Sequence, residues 1–126
     1  MTRILAAALA AMLTANALAM LFASFWWYNA VPGVTATGAY NPHFVRDIGA
    51  AYLVTAGGLA WFAWRPAQGW PALAAGALFL VLHAGIHVFD ASCSASPLAD
   101  VIRDLPGVYL PALLAAWLTV ARRPGH

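Results

Sequence analysis

The chain contains no lysine, no glutamate and only one cysteine. Without glutamate there is no H-E-x-x-H zinc-protease motif; between His83 and His87 stand Ala84, Gly85 and Ile86. A lone Cys93 excludes an intramolecular disulfide, so cysteine usage says nothing about redox compartment. Charge of either sign is scarce. Charged residues make up 8% of the chain, where a soluble domain carries about a quarter. The net charge of +2 rests on scattered arginines and excludes a nucleic-acid surface.

What is present is apolar. Hydrophobic residues make up 63% of the 126 positions, a length that accommodates one domain. A membrane helix needs about 20 mostly apolar residues, and four segments qualify: about 4–27, 43–64, 71–90 and 105–121. The sequence thus predicts an all-α, four-transmembrane-helix bundle in a single integral membrane domain. Asn41-Pro42 reads as an N-cap followed by proline at the first helical position. Arg65-Pro66 ends the second span, because proline disfavours helical geometry in the residue before it. Trp70-Pro71 reads as the restart of the third span, and Pro111 as a kink in the fourth. Ala17-Leu18-Ala19 resembles a signal-cleavage site, but the apolar run continues past it to Trp27, so the expectation is an uncleaved helix.

Arginine placement sets the expected orientation. Arg3, Arg65, Arg122 and Arg123 fall on one side, Arg46 and Arg103 on the other. Both termini are therefore expected in the cytoplasm of a bacterial inner membrane. All four aspartates and every histidine except His126 then face the periplasm. Trp26, Trp27, Tyr28, Tyr40 and Tyr109 mark an outer aromatic belt; Trp61, Trp64, Trp70 and Trp117 mark an inner one. The segment 28–41 reads as a short cap over the outer face. Gly57, Gly58 and Gly76 read as close-packing points between helices.

The chemistry concentrates in two groups. His83, His87 and Asp90 are spaced i, i+4, i+7 and share a helix face. His43, Arg46 and Asp47 open the second span at the same predicted surface. Asp90 ends a helix, where the macrodipole disfavours a carboxylate without a cation beside it. Arg46 is the expected partner of Asp90, leaving Asp47 to orient His83 or His87.

Three readings stand side by side. The first is a structural polar network among Arg46, Asp47 and Asp90. The second is a metal site: His83, His87 and Asp90, completed by His43 or Asp47, suit zinc, copper or iron. The third is haem, with His43 and either His83 or His87 as axial ligands. A lipid or small-molecule pocket is compatible with each, with Arg46 as an anion clamp. Ser92 and Cys93 lie in a polar loop with no G-x-S-x-G context.

The segment His43-Phe44-Val45-Arg46-Asp47-Ile48-Gly49-Ala50-Ala51-Tyr52-Leu53, with the later H-x-x-x-H-x-x-D, resembles a group of small bacterial four-span membrane proteins. The layout is similar to the broad DoxX-like class, which implies four short helices with polar residues near the start of the second and the end of the third. The class implies no single activity. The expected role is a small binding or accessory subunit rather than an independent enzyme. Its expected partners are the lipid bilayer and a larger membrane complex or further copies of itself. A metal-binding protein is the alternative, and a small redox or haem protein the second alternative.

Overall fold

The computed structural model describes residues 1–122; Arg123 and His126 lie outside the described residues. The chain is all-helical, with no strand among the described residues. We number its helices α1 (Thr2–Phe22), α2 (Ser24–Ala30), α3 (Pro42–Trp64), α4 (Pro66–Ser92) and α5 (Pro97–Ala121). Three of them, α1, α4 and α5, are long and apolar enough to cross a membrane. At 23 residues α3 is long enough, but it is not among those three. Arg46, Asp47, Thr55 and its glycines dilute its apolar character, so the expectation of four clearly apolar spans is met in three.

Helix α3 packs between α1 and α4, and α5 packs against α4. Leu13, Met20, Leu59, Phe62, Leu73 and Leu118 are fully enclosed at these seams. The outward faces carry Ile4, Val54, Leu78, Leu82, Leu113 and Val120 in the open. Apolar exposure on that scale suits a surface solvated by hydrocarbon, where helices associate through close packing. Small residues supply that packing. A Cβ on Gly69 would stand 2.6 Å from Phe62 Cα and 2.7 Å from the Trp61 carbonyl carbon, so only glycine lets α4 turn back so tightly on α3. Gly58 against Ala72 and Gly76 against Thr55 continue the seam, whereas a Cβ on Gly57 would meet nothing within 4 Å.

The boundaries depart from the sequence reading at three places. The first predicted span, 4–27, breaks at Ala23. Trp27 Nε1 donates to Asn16 Oδ1 at 2.9 Å, and Ser24 Oγ lies 2.7 Å from the Tyr40 hydroxyl. In an unbroken helix the eleven residues from Asn16 to Trp27 would rise about 16 Å, so the chain must bend for the indole to reach back. The third span begins at Pro66 rather than at 71, with Pro71 inside the helix, and runs to Ser92 rather than 90. Pro66 occupies the first helical position, where its missing N–H costs nothing. The fourth begins at Pro97 rather than 105, because Ser96-Pro97 starts a helix that continues through a π turn at Leu105–Tyr109 into Leu110–Ala121.

Other boundaries agree. Asn41 Oδ1 accepts from the backbone N–H groups of His43 and Phe44, capping α3, and α3 ends at Trp64. At that end Arg3 donates to the carbonyls of Ala63 (2.7 Å) and Trp64 (3.0 Å), placing a cation on the negative pole of α3. Trp70 Nε1 donates to the Thr119 carbonyl, and Arg122 Nε to Thr2 Oγ1. These bonds tie α1, α3, α4 and α5 together at the end that holds Thr2 and Arg122.

Candidate polar centre

The opposite end holds the four aspartates and, among the described residues, the histidines. His83 and His87 stand one turn apart on α4, with ring centroids 4.8 Å apart and nearly edge-on. His83 is stacked on Phe79 and meets Tyr52 of α3 edge-on at 5.7 Å. From α5 comes the residue that organises the group: the buried carboxylate of Asp104 accepts from His87 Nδ1 at 2.8 Å. It also takes a two-pronged contact from Arg103, with Nε at 2.7 Å from Oδ1 and Nη2 at 3.1 Å from Oδ2. Arg103 Nη1 donates further to Asp100 Oδ1. Charge-assisted contacts of this kind are the strong ones. Asp100, Arg103 and Asp104 are spaced i, i+3, i+4 and so share a face of α5.

The segment between α2 and α3 meets this group at Gly33. Gly33 has φ +85, in the left-handed region, and a Cβ there would lie 2.6 Å from the Arg103 guanidinium carbon. Glycine is required twice over, for its conformation and for the approach.

Several expected partnerships do not form. Arg46 does not pair with Asp90: its Nε donates to the Leu21 carbonyl at 3.3 Å, closing the end of α1. Asp90 is exposed, and among the described residues no ion pair reaches it. Asp47 orients neither His83 nor His87. It faces His43 across one turn at 3.4 Å, with both side chains largely exposed. The reason is geometric, since Arg46 and Asp47 sit on the first turns of α3 facing α1 or solvent, while α5 occupies the side of α4 that carries His87. The metal set His83, His87, Asp90, His43 and Asp47 is not gathered. No three His, Cys, Asp or Glu side chains among the described residues are arranged to hold an ion. His43, the expected axial partner for haem, stands 88% exposed beside Asp47.

The sequence reads Arg103 and Asp104 as surface residues or as part of the start of the fourth helix, and Tyr109 as part of an aromatic belt; both residues do lie near the start of α5, but Asp104 is buried in the centre. The available signal was Ser96-Pro97, an N-cap residue type before proline, which starts the helix early enough to carry Asp104 inward with Asp100 and Arg103 beside it on the same face.

Beside the polar centre, along the α4–α5 seam, lies an apolar groove of about 350 Å³. Val81, Ala84, Val88, Leu105, Tyr109 and Ala112 are among its lining residues. Ala84 follows His83, Val88 follows His87, and Leu105 follows Asp104. The groove volume falls within the about 300–1,000 Å³ of small-molecule sites. The Tyr109 hydroxyl is buried without a hydrogen-bond partner, alone in this among the described side chains.

Compared with known protein families, curated proteins and solved structures, the chain matches none. The functional reading therefore rests on the site.

Proposed function

We propose that this chain is a four-helix integral membrane protein of a bacterial inner membrane. It binds a membrane-dissolved small molecule at the centre formed by His83, His87, Arg103 and Asp104. It acts as a binding or accessory subunit, alone or within a larger membrane complex. The observation that carries the reading is the buried Asp104 carboxylate, shared by an imidazole and a guanidinium across two apolar helices, directly beside an apolar groove. Ionisable groups at membrane depth are costly, and mark function by default. His87 engages Asp104 through Nδ1, which leaves Nε2 as the ring nitrogen that meets a ligand's polar group. Helix α3, enclosed by α1 and α4, serves as the fourth span despite its polar first turns. Arg3, Arg65 and Arg122 at one end support a cytoplasmic placement of that end, which turns the polar centre toward the periplasm.

The test is native mass spectrometry, with elemental analysis, on untagged protein extracted gently into zwitterionic-lipid nanodiscs. The expected result is a stoichiometric organic adduct that is lost from the His87→Ala and Asp104→Asn variants while helicity is kept. Identical spectra for wild type and both variants would overturn the reading. A stoichiometric metal that leaves with His87 would replace the organic ligand with an ion.

A further inference from the structure

The α4–α5 groove presents no charge. Apart from Tyr109, every residue that lines it is apolar. The charged groups nearby are engaged with one another: Arg103 holds Asp100 and Asp104, and Asp104 also holds His87. None of these four side chains lines the groove. A charged head drawn into it would lose its water and meet no counter-charge, which is costly. A neutral occupant fits. One polar atom beside the hydrocarbon lacks a partner. Tyr109 is a wall of the groove, and its hydroxyl is buried with no hydrogen bond. A buried polar group left unpaired is expensive, and at membrane depth no water replaces the missing partner. A phenol can donate and accept, but its oxygen lone pair is delocalised into the ring, so it donates better than it accepts. The partner that suits it is an acceptor oxygen without charge. We propose that the groove takes a neutral lipophile whose carbonyl oxygen accepts a hydrogen bond from the Tyr109 hydroxyl. The inference rests on the binding role proposed above and names the ligand class.

The backbone that carries Tyr109 agrees with this role. The hydroxyl is enclosed, so the ring must turn slightly to meet an incoming oxygen. Helix α5 passes through a π turn at Leu105–Tyr109, in which the Leu110 N–H reaches the Leu105 carbonyl. Such turns occur frequently at functional sites. Pro106 and Pro111 stand on either side of Tyr109 and carry no N–H, so two of the usual helical bonds are missing there. A Cβ on Gly107 would meet nothing within 4 Å. The helix is thus loosest where the ring has to move. The rest of the groove, with Val81, Ala84, Val88, Leu105 and Ala112, is hydrocarbon and matches a chain or ring that has no second polar group.

The test compares methyl undecyl ketone with tridecane, a chain of the same length without oxygen. Dodecylamine and dodecanoate serve as charged counterparts. Each probe is titrated into the protein in nanodiscs of a diether phosphatidylcholine, which brings no ester carbonyl of its own. Binding is the saturable excess over protein-free nanodiscs at equal probe content in the lipid, so partitioning cancels. Wild type is expected to hold the ketone about fivefold more tightly than the alkane, the worth of one ordinary hydrogen bond, and more tightly than either charged probe. Tyr109→Phe should bring ketone and alkane within about twofold of each other. It should not lower thermal stability, because the hydroxyl it removes has no partner in the protein. Isotope-edited infrared spectra of the bound ketone should show a carbonyl band below that of the lipid-dissolved probe, and Tyr109→Phe should abolish the difference. Ala116→Leu, which fills the groove, should weaken ketone and alkane alike. Equal binding of ketone and alkane, a carbonyl band unchanged by Tyr109→Phe, or preference for a charged probe, with sensitivity to Ala116→Leu retained, overturns the carbonyl assignment and leaves the binding role standing. Insensitivity to Ala116→Leu overturns the groove as the place. Absence of saturable binding by all four probes overturns the inference and, if no native adduct is found either, the binding role with it.

Discussion

Removing the Asp104 carboxylate leaves His87 and Arg103 without their shared acceptor, in a place where water replaces it poorly. Interhelical hydrogen bonds in membranes average about 0.6 kcal/mol; the half-buried imidazole loses its acceptor, while Arg103 keeps Asp100. Asp104→Ala is expected to cost about 1–2 kcal/mol in detergent-titrated unfolding, and Asp104→Asn, which keeps the shape and one acceptor, less. Asp90→Ala and Asp47→Ala should stay within about 0.5 kcal/mol, the usual range for surface changes. A large loss at Asp90 with none at Asp104 would reverse the roles assigned here. The sequence shows that the imidazoles of His83 and His87 share one helix face. It does not show which of four aspartates reaches them, because that depends on which helix packs beside α4. Asp47 and Asp90 are nearer in pattern, and Asp104 wins because α5 begins eight residues earlier than its apolar run suggests.

Among the elements, the α3–α4 hairpin makes the strictest demand on sequence. Only Arg65 separates the two helices, and Gly69 then passes against the backbone of Phe62. Gly69→Ala is expected to lower stability by about 1–3 kcal/mol, the cost of overpacking against atoms that cannot yield. Gly57→Ala is the control: it meets nothing within 4 Å and is exposed, so it should be neutral or stabilising by up to about 1 kcal/mol through helix propensity. Thermal melting of both variants checks the pair, and equal effects would refute the close approach. Helix ends written locally were legible, as at Asn41-Pro42 and Arg65-Pro66. The break at Ala23 was not. It carries no proline or glycine and exists because Trp27 and Ser24 find partners at Asn16 and Tyr40. The π turn was also hidden, since Pro106 and Gly107 admit a kink without specifying its register.

At the scale of the whole molecule, the polar centre has meaning only in relation to the membrane, and three connections fix that relation. The α2–α3 segment and the α4–α5 connection lie at the end with the polar centre, and the α3–α4 turn lies at the other. If α3 spans despite its Arg46 and Asp47, the first two share one side and the third faces the opposite side. Native Cys93 is exposed in the α4–α5 connection and is the single cysteine in the chain. In a Cys93→Ser background, Ala36→Cys and Gln68→Cys place one exposed thiol at each of the other two sites. An impermeant maleimide added to intact spheroplasts is expected to label Cys93 and the thiol at position 36, and to reach position 68 only after permeabilisation. Labelling at 36 and 68 from the same side would show that α3 does not cross. The bundle would then be a three-span protein with α3 held by α1 and α4. Labelling of 68 alone would turn the polar centre to the cytoplasm. The ligand would then be drawn from the inner leaflet, with the His87–Asp104 pairing and the groove beside it unchanged.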